Sequence, residues 1–141
     1  MLAALVLLLL DVQVAGVLQD RATSPAPCRN ATASLYCADL VAVPALRNAS
    51  GRLDIVPVPS PFGGAVTAAG APRFGITLTV AGLPAPGQLG PYQVYVAWAT
   101  TVSLDREIRL GVVRDGTSAL GEIALAQFRI LVTAEASADV T

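Results

Sequence analysis

Arg73-Phe74-Gly75-Ile76-Thr77-Leu78-Thr79-Val80-Ala81 alternates apolar residues with small or polar ones. Phe74, Ile76, Leu78 and Val80 therefore share one face, and a period of two is that of a strand with one buried side. The pattern returns downstream as Val94, Val96 and Trp98, then Ile108, Leu110 and Val112, then Phe128, Ile130 and Val132. These residues are the expected core. Runs of this kind, cut by Gly, Pro and Asp115-Gly116, predict an all-β protein: an immunoglobulin-like β-sandwich of about seven strands, with room for a terminal edge strand that the sequence does not contain.

Weaker strands are expected around this frame. Residues 35–43 read as a first strand or an irregular edge. Residues 52–58 read as an edge strand, because Pro57 and Pro59 cannot donate to a ladder. Residues 65–69 read as a short strand. Asp115-Gly116 predicts a hairpin turn and a return strand over 119–124. Pro84, Pro86 and Pro91, with Gly82, Gly87 and Gly90, mark 82–91 as a long connection.

Three sections follow along the chain: 1–20 as a signal peptide or membrane leader, 21–34 as a linker that carries Cys28, and 35–141 as the sandwich. The uninterrupted apolar run from Leu2 to Leu10 is too short for a bilayer, which takes about 20 residues. Its length suits a signal-peptide core, although no Lys or Arg precedes it and no Ala-x-Ala follows. Cys28 and Cys37 are the only cysteines. An even count shortly after such a leader predicts a disulfide in an oxidising compartment. The localisation expected is extracytoplasmic, periplasmic or secreted. Asn30-Ala31-Thr32 and Asn48-Ala49-Ser50 match the glycosylation sequon, a match that short motifs make often by chance.

The balance of charge narrows the function. Nine basic and ten acidic residues give a formal net charge of −1 in a chain of 141. That balance does not suit nucleic-acid binding, which needs excess positive charge. The chain has no His, so an imidazole base, a Ser-His or Cys-His pair and a His metal ligand are all absent. Every basic residue is Arg, in keeping with a GC-rich bacterial gene. Charged residues make up 13% of the chain and hydrophobic ones 54%, a composition expected where part of the surface is covered by a partner.

Candidate chemistry is sparse. Asp105 and Glu107 are the closest carboxylate pair, but Arg106 and Arg109 are interleaved and no calcium loop follows. Ser103, Ser118 and Ser137 lack a base partner and a nucleophile elbow. Phe62-Gly63-Gly64 reads as a turn rather than a phosphate loop. Tyr95 is a half-buried sheet residue or, less directly, a stacking platform. No catalytic residue, cofactor or metal is expected.

Gly82-Leu83-Pro84-Ala85-Pro86, Tyr92-Gln93-Val94-Tyr95-Val96, Leu110-Gly111, Arg114-Asp115-Gly116 and Ile130-Leu131-Val132-Thr133-Ala134-Glu135 together resemble the extracytoplasmic sandwich of anti-sigma-K-type factors. The resemblance implies an extracytoplasmic sensor domain. That family's zinc-binding or helical sigma-binding part has no counterpart in these residues. Tyr95-Val96-Ala97-Trp98-Ala99-Thr100-Thr101 resembles the region ahead of the copper-binding domains in some bacterial multicopper oxidases. That resemblance implies an N-terminal accessory domain whose active site lies outside this sequence. The leading expectation is a non-catalytic secreted or periplasmic module for protein interaction or domain positioning. Its partner would be another protein or a following domain. It would touch no nucleic acid, and would touch the membrane only through an uncleaved leader.

Overall fold

A computed structural model of the chain describes Cys28 and residues 36–140. The expected leader (1–20) and all of the linker (21–34) except Cys28 lie outside the described residues. The strands are β1 (Cys37–Leu40), β2 (Ser50–Pro57), β3 (Pro59–Ser60), β4 (Gly63–Gly64), β5 (Phe74–Ala81), β6 (Val94–Thr100), β7 (Glu107–Val113), β8 (Gly116–Ile123) and β9 (Arg129–Glu135). One layer has the order β1-β2-β5-β8 and the other β7-β6-β9, and every neighbouring pair is antiparallel. β3 and β4 form a separate two-stranded ribbon. The protein is an all-β sandwich.

β5 forms where its alternation predicts. Ile76, Leu78 and Val80 are buried, and Phe74 packs half-buried at the strand's start. Leu53 of β2 stands opposite Leu78 in register, and both are almost wholly shielded. From the other layer, Ile130, Val132 and Ala134 of β9 face them, joined by Leu110 and, at the margin, Ile108 and Phe128. Each fully buried Leu, Ile or Val contributes about 1.5–3 kcal/mol of apolar transfer.

β2 is not an edge strand along its whole length. β1 pairs with it from Gly51 to Asp54, and β5 pairs along all of it. Its one proline, Pro57, is tolerated because it lies past the reach of β1, where only one neighbour remains, and Pro59 falls outside it in β3. Residues 65–69 form no strand; they belong to an arm closed by a single bridge between Val66 and Pro72.

β6 turns the opposite face inward from the one expected. Tyr95, Ala97 and Ala99 point into the core, where they meet Ala134, Val132 and Ile130 of β9. Val94, Val96 and Trp98, expected in the core, lie on the outer face of this layer; Val96 is buried there as expected, whereas Val94 and Trp98 are partly exposed. The physical reason is that β6 is the central strand and is covered on both sides. Val96 on the outer face is as fully buried as Ala97 on the inner one. Such a strand is apolar throughout, so alternation cannot reveal which face is inward.

Val112 is also displaced from the core. The ladder between β6 and β7 shifts register between Ala97 and Trp98, leaving Leu110 as an extra residue beside Gly111. A bulge of this kind reverses the facing of every residue beyond it. Leu110 and Val113 therefore point inward, and Val112 points out.

Cys28 and Cys37 form the expected disulfide, with Cα atoms 5.9 Å apart. It ties the chain to the start of β1, where the Cys28 amide also donates to Asp39 Oδ1 at 3.2 Å. No helix among the described residues is long and apolar enough to cross a membrane.

Candidate functional site

The two ends of the sandwich differ in chemistry. At one end the connection 82–91 folds over the sheet and is pinned there by polar groups. The Tyr95 hydroxyl donates to the Pro84 carbonyl at 2.9 Å, and the Leu83 amide donates to Asp115 Oδ1 at 3.0 Å. Burial pushes the Tyr95 phenol above its ordinary pKa, and the negative charge of Asp115 adds to the effect. A cavity of about 360 Å³ lies here, between Pro84, Pro86, Gln93, Val112 and Arg114. Tyr95 is buried against the core, with its hydroxyl committed to the backbone. It offers no ring face for stacking.

The opposite end is apolar. A cleft of about 440 Å³ opens between the layers, lined by Ala38, Leu53, Ile55, Val102, Phe128 and Ile130. Beyond Pro57 an arm leaves the sandwich and returns at Arg73, held by backbone bonds from Val58 to Arg73 and from Ala65 to Val58. Its tip is shaped by Ser60, whose hydroxyl donates to the Gly63 carbonyl at 3.1 Å and accepts from the Phe62 amide at 3.4 Å. Gly63 takes φ +121° there, which a side chain would oppose. The turn expected at Phe62-Gly63-Gly64 is narrower, Pro61-Phe62, because Gly63 and Gly64 pair with Ser60 and Pro59 as β4, and this turn carries Phe62 100% exposed. No charged residue occurs from Ile55 to Pro72.

Tyr36, Val56, Phe62, Val66, Val102 and Leu104 are exposed at this same end. Among the described residues, Val41 is the one large exposed apolar side chain found elsewhere. Tyr36 rests against Phe74, ring centroids 6.3 Å apart. Leu104 sits at φ +60°, a left-handed conformation that costs a non-glycine residue about 1–2 kcal/mol. The turn carrying it is closed by the Leu104 amide on the Thr101 carbonyl at 3.0 Å. In the same turn Asp105 accepts a hydrogen bond from the Thr101 hydroxyl. That bond, with a further one from Ser103, holds its carboxyl below the usual carboxylate range. Asp105 is engaged inside its own loop.

Two of the remaining polar candidates, Ser103 and Ser137, have structural partners. The Ser103 hydroxyl meets that of Thr101 at 3.3 Å, and Ser137 accepts from the Asp139 amide at 3.3 Å. Ser118 is half-buried in β8. No group of three or more His, Cys, Asp or Glu side chains among the described residues is placed to hold a metal ion.

The apolar end was not legible as a site in the sequence. Phe62 carried only a turn signal, and Val102 and Leu104 stand singly among Thr101, Ser103, Asp105 and Arg106. The lack of charge from Ile55 to Pro72 was the one local signal available. No family model, curated protein or solved structure matches the chain.

Proposed function

We propose that this chain is a non-catalytic module of the periplasmic or secreted space that docks another protein, or a following domain, through the apolar end of its sandwich. The observation that carries this reading is that Tyr36, Val56, Phe62, Val66, Val102 and Leu104 are exposed on the segments at the end of the sandwich where the cleft opens, with Val102 on the cleft's own lining. A soluble surface keeps contiguous apolar patches to roughly a few hundred Å² unless they bind something. Aromatic anchors surrounded by smaller contacts dominate the energy of protein interfaces. The arm is fastened by backbone bonds, so Phe62 is presented at little further entropic cost. The disulfide supports an oxidising compartment.

The test is site-specific photocrosslinking in the source cell. A photoreactive residue at Phe62 is expected to give a discrete adduct, and Phe62→Ser is expected to weaken binding to the purified adduct partner about tenfold or more. A probe at Ala119, exposed on β8, serves as control. Equal labelling from both positions, or none from Phe62, overturns the reading.

A further inference from the structure

The connection 82–91 stands over the start of β6 and the end of β7, and the cavity of about 360 Å³ lies between them. Its wall is stiff. Pro84 and Pro86 fix their own φ, the Gln88 amide donates to the Ala85 carbonyl at 2.9 Å, and the Leu89 amide donates to the Pro86 carbonyl at 3.0 Å. Tyr95 and Asp115 fasten the same wall to the sandwich through Pro84 and Leu83. A loop held in this way does not collapse onto the strands, so the hollow is preformed. Preformed, mostly apolar hollows of about 300–1,000 Å³ with a few polar groups are the usual form of a small-ligand site.

The lining has one uncommitted charge. Leu83, Pro84, Pro86, Val94 and Val112 make its apolar part. The Arg114 guanidinium and the side-chain amide of Gln93 also line it, and neither has a hydrogen-bond or ion-pair partner among the described residues. Asp115 lines it too, but one of its oxygens accepts from the Leu83 amide. Its negative charge confines a bound anion to the Arg114 side. A guanidinium takes a carboxylate through two parallel N–H···O bonds, a geometry that lysine does not offer. An apolar hollow beside a single free guanidinium is therefore complementary to a carboxylate carried on a short hydrocarbon body.

We propose that this cavity binds a small carboxylate with a branched apolar body, Arg114 holding the carboxylate and Val94 and Val112 the hydrocarbon. Gln93 supplies a further donor at the same lining. The same chemistry is offered by a free branched-chain acid and by the last residue of a polypeptide with an apolar side chain. The cavity is at the opposite end of the sandwich from Phe62, so this inference and the docking of a protein there fail separately.

NMR titration of the full chain tests the site. The probes are isocaproate, for the free acid, and N-acetyl-alanyl-leucine, for a chain terminus, each beside its carboxamide. At least one acid is expected to shift the signals of Gln93, Val94 and Val112 with a dissociation constant of about 1 mM or below. The tighter of the two identifies the source. Its carboxamide is expected to bind about tenfold more weakly, because the charge-assisted bonds are lost. R114Q, at an exposed position, is expected to weaken the acid about tenfold and to leave the carboxamide within about twofold of wild type. V112F fills the hollow and is expected to abolish binding of both; should it fail to fold, R114Q decides alone. Four results overturn the proposal. They are no saturable shift from either acid up to about 20 mM, acids and carboxamides that bind alike, an R114Q that binds the acid as tightly as wild type, and a folded V112F that still binds.

Discussion

The indole nitrogen of Trp98 lies 2.9 Å from the hydroxyl of Thr133, joining β6 to β9 across the outer surface of their sheet. The Thr133 hydroxyl in turn donates to Glu135 Oε1 at 2.5 Å. Trp98 therefore acts as a cover for the outer face, with Val96 fully buried on that same face. Its N–H has a partner, as a largely shielded indole requires.

Trp98→Phe keeps a ring and removes the donor, and is expected to cost about 1 kcal/mol; Thr133→Val should cost a similar amount. A double-mutant cycle should return a coupling of about 1 kcal/mol, measured by denaturant unfolding. Trp98→Ala should cost about 1–3 kcal/mol, below the roughly 3–5 expected for a core aromatic, because the ring lies on the outer face and is only partly shielded. Zero coupling would mean that the hydrogen bond does not hold the strands together in solution.

Gly82 and Gly70 both adopt left-handed backbone, at φ +77° and φ +79°. A Cβ on Gly82 would lie 2.4 Å from the Asn48 carbonyl oxygen, whereas one on Gly70 would meet nothing within 4 Å. Gly70→Ala should therefore cost about 1 kcal/mol, the conformational penalty alone. Gly82→Ala should cost about 3 kcal/mol or more, because the backbone of residues 48–49 must also move. Thermal unfolding of the two variants side by side isolates the contribution of close approach.

Tyr95 makes stability depend on alkaline pH. Its folded pKa is raised, so the folded state holds the phenolic proton more tightly than the unfolded chain does. That contribution is fully present below about pH 10 and is lost as pH rises through the folded value. A spectrophotometric titration should show one of the three tyrosines ionising late. Tyr95→Phe should flatten the alkaline loss, and should cost about 1 kcal/mol at neutral pH by removing the bond to Pro84. An unchanged alkaline profile in that variant would refute the assignment.

Much of the architecture could be read from local pattern. Ile76, Leu78 and Val80 alternate with threonines and alanine, so only one face of β5 is apolar enough to be buried. Ile130 and Val132 were placed inward by the same rule, although Leu131 between them is buried too. Asp115-Gly116 predicted a hairpin, but β7 and β8 lie in different layers, so this pair instead carries the chain from one layer to the other, with Gly116, the first residue of β8, at φ +99°. The pairing of Cys28 with Cys37 followed from there being no other cysteines. β6 defeated the rule because Val94, Val96 and Trp98 are bulkier than Ala97 and Ala99. Bulk favoured the wrong face, while small residues are what let the two layers approach at the centre. At Val112 the rule failed for another reason: one extra residue at Leu110 shifts the phase, and Gly111 beside it, at φ +155°, was the one local sign of a bulge.

The amino-acid sequence alone determined that this protein is a two-layered β structure with a stapled start, because period, turn chemistry and cysteine count are properties of neighbouring residues. Tertiary structure decided which side of β6 faces the core, since inward is defined only by what stands across from a strand. It also decided that Tyr36, Phe62, Val66, Val102 and Leu104, scattered through loops, share one end of the molecule. Strand pairing brings those loops together, and pairing is a long-range choice made by the whole chain.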